Sequence, residues 1–95
     1  MPKYLTLIRF TEQGAKQVKQ STARARAFAE SAARAGVKVE WQYWTAGNYD
    51  GALILSGDSE RKVLHVLTEL AAGGNVRTET LQAFDAKEFD AIIGG

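Results

Sequence analysis

The sequence predicts an α+β fold built on one antiparallel sheet with its helices on one face. Three observations carry this. Strand-like and helix-like segments alternate in the order β-α-β-β-α-β-α. A tight-turn signal, Ala46-Gly47-Asn48, joins the two middle strands directly. Each of the two longer helical segments carries an apolar stripe that must be buried against something.

Lys3 to Phe10 is the first strand, rich in β-formers. Leu5, Leu7 and Arg9 alternate with Tyr4, Thr6, Ile8 and Phe10, so both faces are largely apolar and the strand belongs inside a sheet. Thr11 is placed to cap a helical pattern that runs to about Ala35, with Glu12 complementing the helix dipole. Val18, Ala25, Phe28, Ala29, Ala32 and Ala35 fall on one arc, and Lys16, Lys19, Arg26, Glu30 and Arg34 on the other. Ser21-Thr22 marks a kink or a second helix start, and Gly36 is the expected C-terminal stop.

Val37 to Thr45 is the second strand, with Val37, Val39, Trp41, Tyr43 and Thr45 on one face and Lys38, Glu40, Gln42 and Trp44 on the other. That alternation assigns Trp41 and Tyr43 to the core. Tyr49 to Ser56 is the third strand. Asp58 is expected to cap a helix over Ser59 to Ala72, whose buried stripe is Val63, Val66, Leu67 and Leu70. His65 falls outside that stripe and reads as a surface histidine. Gly73-Gly74 ends the helix. Asn75 to Ala83 is the fourth strand, with Val76, Thr78 and Thr80 opposed to Arg77, Glu79 and Leu81. Asp85 with Glu88 forms a capping box, and Phe84 with Phe89 a hydrophobic staple, for a last helix over about Ala86 to Ile93.

Right-handed crossovers convert this order into a split βαβ arrangement, an antiparallel sheet ordered 4-1-3-2 in one domain over residues 1–95. The sheet face away from the helices is apolar and aromatic, so a homodimer that covers it is expected, with a higher even-numbered oligomer as a further possibility. The first 47 residues carry eight Lys/Arg against three Asp/Glu, and the remainder four against eight. These halves either form separate solvated faces or attract across a symmetric dimer.

Composition narrows the function. The chain has no cysteine and one histidine, which argues against thiolate zinc, iron–sulfur and multi-histidine sites within one chain; no metal and no cofactor are expected. Net charge is +1, and the aromatic residues do not interleave with a basic stripe, so no nucleic-acid partner is expected. The longest apolar run, Ala52-Leu53-Ile54-Leu55, does not span a membrane, and Met1-Pro2-Lys3-Tyr4 opens no signal peptide; a cytoplasmic location follows as the expectation. No phosphate loop and no Gly-x-Ser-x-Gly elbow is present.

Antiparallel pairing brings the end of strand 1 to the starts of strands 3 and 4. Arg9, Trp44, Tyr49, Asp50 and Arg77 are therefore expected to converge on one sheet edge, with Glu79 beside Arg77 on the same strand face. These six are the candidate ligand-binding residues. Asp50 is otherwise a turn cap or an ion-pair partner of Arg9 or Arg77. Thr6, Thr78 and Thr80 either hydrogen-bond locally or line a polar cavity.

Three segments, Thr11-Glu12-Gln13-Gly14, Gly47-Asn48-Tyr49-Asp50 and Gly74-Asn75-Val76-Arg77-Thr78-Glu79-Thr80, resemble the signature segments of the GYD domain family in order and spacing. The resemblance spans nearly the whole chain. It implies a ferredoxin-like fold with an extra C-terminal helix, of the dimeric α+β barrel type. It implies little about activity, because the wider superfamily includes cofactor-free monooxygenases, isomerases, haem-degrading enzymes and amino-acid-sensing domains. Three readings remain open: a small-molecule binding protein with its pocket in the dimeric barrel, a structural assembly module, and a cofactor-free monooxygenase- or isomerase-like enzyme using Asp50 or Tyr49 as acid or base.

Overall fold

The computed structural model describes residues 1–94. Along the chain run β1 (Lys3–Phe10), α1 (Glu12–Lys16), a 3-10 turn (Val18–Gln20), α2 (Ser21–Arg34), β2 (Val37–Trp44), β3 (Gly51–Gly57), α3 (Glu60–Ala72), β4 (Val76–Ala83) and α4 (Ala86–Gly94). The strands pair in the order β2-β3-β1-β4, all antiparallel, which is the expected 4-1-3-2 sheet read from its other edge.

The expected kink is a full break. α1 lasts five residues, and the chain then tightens into the 3-10 turn before α2 begins at Ser21. The break removes Val18 from the apolar arc and leaves it 48% exposed. Beyond it the arc holds: Ala32 is fully buried, and Phe28 and Ala35 pack against the core. α3 starts one residue later than expected. Its cap is Ser59, whose hydroxyl accepts from the Arg61 N–H, while Asp58 pairs with Lys62 at 3.2 Å. Val63, Val66 and Leu67 are buried as the stripe requires.

The core lies between α2, α3 and the sheet face that carries Tyr4, Thr6, Ile8, Val37, Leu53 and Leu55. Thr6 is fully buried there, and its hydroxyl meets that of Thr80 across the strands at 3.0 Å. This is the local pairing, and it satisfies a polar group that would otherwise be costly to bury.

Strand β2 departs from the expected alternation. Val39 pairs with Leu55, but Trp41, two residues on, pairs with Ile54, so Glu40 is an inserted residue in a β-bulge. Before the bulge Val37 and Val39 face the helices. After it Gln42 and Trp44 do, and Trp41 and Tyr43 turn to the open face. Trp41 and Tyr43 are accordingly 40% and 64% exposed, not core, with ring centroids 5.3 Å apart. The bulge is fixed by Ser56, whose buried hydroxyl donates to the Glu40 carboxylate at 2.6 Å. That hydrogen bond, with Lys38 and Lys3 nearby, lowers the Glu40 pKa from its ordinary value.

The open face thus presents Trp41 and Tyr43 beside Leu5, Leu7, Ile54 and Leu81. α4 is built by its capping box: the Glu88 N–H donates to the Asp85 carboxylate at 2.7 Å, and the Asp85 N–H to the Glu88 carboxylate at 2.9 Å. It nevertheless buries none of its described residues; Phe84, Phe89, Ile92 and Ile93 are 47–66% exposed.

Candidate functional site

The β2–β3 turn is where local sequence builds the site. Gly47 takes φ +136°, a conformation that side chains rarely adopt. The Thr45 hydroxyl and N–H then donate to the Tyr49 and Asp50 carbonyls, closing the loop. Two consecutive residues leave this turn toward opposite sides of the sheet, and that divides the six expected site residues into two groups.

Tyr49 goes to the open face. Its hydroxyl donates to Glu79 at 3.2 Å, and the Arg9 guanidinium stacks over its ring at 4.8 Å from the centroid. Arg77 stands opposite Arg9 in the β1–β4 register and is exposed. Arg9, Tyr49, Arg77 and Glu79 thus form a polar cluster at one end of the aromatic open face.

Asp50 and Trp44 go to the helix side. The Asp50 carboxylate accepts from the Phe10 N–H at 2.8 Å, and the Asp50 N–H donates to the Ile8 carbonyl at 2.8 Å. Asp50 is therefore a backbone clamp that ties the turn to the end of β1, and among the described residues it makes no ion pair with Arg9 or Arg77. The Trp44 indole Nε1 donates to the Ser21 hydroxyl at 2.9 Å, linking β2 to the start of α2.

Above these two residues lies a cleft of about 330 Å³ between α2, α3 and the sheet. This volume is at the small end of the ~300–1,000 Å³ typical of small-molecule sites. Its lining includes the apolar Ile8, Phe10, Phe28, Leu53 and Leu70, with Arg24, Gln42, Asp50 and Glu69 among its polar groups. Arg24 and Gln42 were not expected from the sequence. Gln42 reaches the cleft because the bulge reverses its face. Arg24 also lines it, with Nη1 donating at 2.8 Å to the Gln17 carbonyl, an oxygen that accepts from the Gln20 N–H of the 3-10 turn as well. Asp50 and Tyr49, each a candidate acid or base, stand on opposite faces of the sheet.

His65 is exposed on α3, 3.6 Å from Glu69 one helical turn away. Among the described residues no three His, Asp or Glu side chains gather to hold a metal ion, and no helix is long and apolar enough to cross a membrane.

Comparison with known proteins places this architecture. A curated relative from Thermus thermophilus, named as a glutamine synthetase and cystathionine beta-lyase binding protein, is 28% identical over 94 residues; the match covers 98% of this chain and 99% of the relative. The crystal structure of TTHA0845, also from Thermus thermophilus, superposes with a TM-score of 0.57 at 28% identity, covering 90% of this chain and 96% of that one. The GYD domain profile matches residues 4–93, so the chain belongs to the GYD domain family.

Proposed function

We propose that the protein is a homodimeric α+β barrel that binds a small organic ligand in the cleft between its helices and its sheet. The cleft carries this reading: it is concave, mainly apolar, and has polar side chains from α2, α3, β2 and the β2–β3 turn in its lining. The homodimer is supported by the open face. Trp41, Tyr43, Leu5, Leu7, Ile54 and Leu81 form an apolar sheet surface that one copy leaves wet, and a second copy packed face to face removes it from water. The Arg9–Tyr49–Glu79 cluster then lies at the rim of that interface. Cytoplasmic residence is part of the same proposal.

A second reading is favoured by the Thermus relative, whose name records binding to two enzymes. In that reading this chain also docks a protein partner, and α4 is the natural surface for it. Phe84, Phe89, Ile92 and Ile93 are exposed on or beside a helix that also carries Glu88 and Asp90.

Native mass spectrometry of protein purified from its own host tests the proposal. A dimer that retains a non-covalent small molecule is expected. A dimer without adduct, carrying a second protein instead, favours the docking reading. A monomer at micromolar concentration rejects the face-to-face dimer, and Tyr43→Lys serves as its control, since an ammonium buried in the interface is expected to weaken it.

A further inference from the structure

Among the described residues, one side chain that lines the cleft has a buried nitrogen left unsatisfied. Arg24 projects from the first turns of α2, with Nη1 donating to the Gln17 carbonyl at 2.8 Å. Its Nη2 is buried and has no hydrogen-bond partner. Leaving such a nitrogen unpaired is costly, and native folds seldom do so without a reason. The two acids on the cleft walls do not serve it. Asp50 is held by the Phe10 N–H, and Glu69 stands beside His65. The rest of the lining near Arg24 is the Phe28 ring, Ala25 and the Trp44 indole, whose own N–H is already spent on Ser21.

We infer that the cleft takes a small organic carboxylate with an apolar or aromatic body, its carboxylate bound by Arg24. This rests on the reading of the cleft as a ligand site and names the class of ligand. The guanidinium presents donors in a planar fork that matches a carboxylate, and shielding from bulk water strengthens the charge-assisted bond. In this inference the long side chain turns on binding so that Nη2 meets the ligand in the cleft. Asp50 lies on the sheet wall and repels a second carboxylate, so the acid is directed to the α2 side and the apolar body lies among Phe10, Phe28 and Leu53. The volume admits one compact body of this kind.

The test is a titration of full-length 15N-labelled protein, in a buffer free of carboxylates, with phenylacetate and with its neutral counterpart phenylacetamide. The Trp44 indole N–H reports occupancy. Phenylacetate is expected to shift it saturably, and phenylacetamide to bind at least about tenfold more weakly, the ratio a charged hydrogen bond commands. Arg24→Gln is expected to bring the acid down to the amide's affinity while the amide is unchanged; Arg24→Lys should recover part of the difference. Equal binding of acid and amide to the wild-type protein overturns the carboxylate inference and leaves the ligand cleft standing. Undiminished acid binding in a folded Arg24→Gln protein overturns the assignment to Arg24. No shift of the Trp44 indole with either compound rejects both the inference and the cleft reading for apolar bodies of this size.

Discussion

Gly14 lies against the backbone of Asn75 so closely that a Cβ on Gly14 would stand 1.9 Å from the Asn75 carbonyl oxygen. That oxygen also accepts from the Thr11 N–H at 3.0 Å. The Thr11 hydroxyl donates to the Gly74 carbonyl at 2.6 Å and accepts from the Gly14 N–H at 3.1 Å. Gln13 reaches the same loop, its Nε2 donating to the Gly73 carbonyl and the Asn75 side chain, each at 3.1 Å. The segment after β1 and the loop before β4 are thus one locked unit, which holds the end of the sheet where the cleft opens.

Gly14→Ala is expected to destabilise the fold by about 3 kcal/mol, the upper part of the range for overpacking, because the obstacle is backbone and cannot rotate away. Ala15→Gly, at an exposed position beside it, should cost about 1 kcal/mol or less from helix propensity alone. Urea midpoints of the two variants check the contrast.

Tyr4→Phe is expected to leave stability unchanged or to raise it by about 1 kcal/mol. Tyr4 is 8% exposed, and its hydroxyl is buried without a partner. Removing an unsatisfied hydroxyl removes a desolvation cost and keeps the ring in place. A loss of more than about 1 kcal/mol in chemical denaturation would show that the hydroxyl is satisfied in solution.

Much of this fold was legible in local signals. The Asp85–Glu88 box, the Gly47 turn and the α3 stripe each depend on residues a few positions apart, and each formed. The strand order followed from the positions of the helices between strands. The bulge was not legible, because Val37, Val39, Trp41 and Tyr43 keep an unbroken period of two through it. What inserts Glu40 is a partner on another strand, Ser56, and single-strand periodicity does not register cross-strand pairing. The site inherited this blindness. Trp44, a candidate from the sequence, and Gln42, which was not one, both line the cleft, and the six expected residues divide between two faces because neighbours Tyr49 and Asp50 leave the turn in opposite directions. Arg24 carries no such signal, because what anchors it beside the cleft is a bond to the Gln17 carbonyl across the helix break.

Deleting Glu40 is expected to preserve the fold. Without it Val39, Trp41, Gln42, Tyr43 and Trp44 alternate as a regular strand with every face as it now stands. The cost should be about 1–3 kcal/mol, from the lost acceptor of the buried Ser56 hydroxyl. Unchanged far-ultraviolet circular dichroism with a lowered unfolding midpoint checks this. Deleting Val39 instead puts the Glu40 carboxylate opposite Leu55 on the core side of β2 and should abolish folding.

Glu40 also sets a pH dependence. Its pKa is lowered in the folded protein, chiefly by the Ser56 hydrogen bond and then by Lys38 and Lys3. A carboxylate of this kind contributes stability above its unfolded value of 4.5, and that contribution is lost as pH falls through the lowered folded value. Glu40→Gln should therefore lose less stability than the wild-type protein between about pH 6 and about pH 3. Thermal unfolding across that interval compares the two slopes.

The bulge has a practical consequence for anyone handling the protein. The chain has two tryptophans, and the inserted residue sends them to different surfaces: Trp41 to the open sheet, Trp44 to the cleft. Each surface therefore carries its own built-in fluorophore. A Trp44→Phe protein has Trp41 as its sole indole reporter and tests the proposed pairing of copies, which predicts a concentration-dependent blue shift. A Trp41→Phe protein has Trp44 as its sole indole reporter and tests the proposed filling of the cleft, which predicts a change in emission on adding ligand, so the two proposals can be tested separately without an added dye.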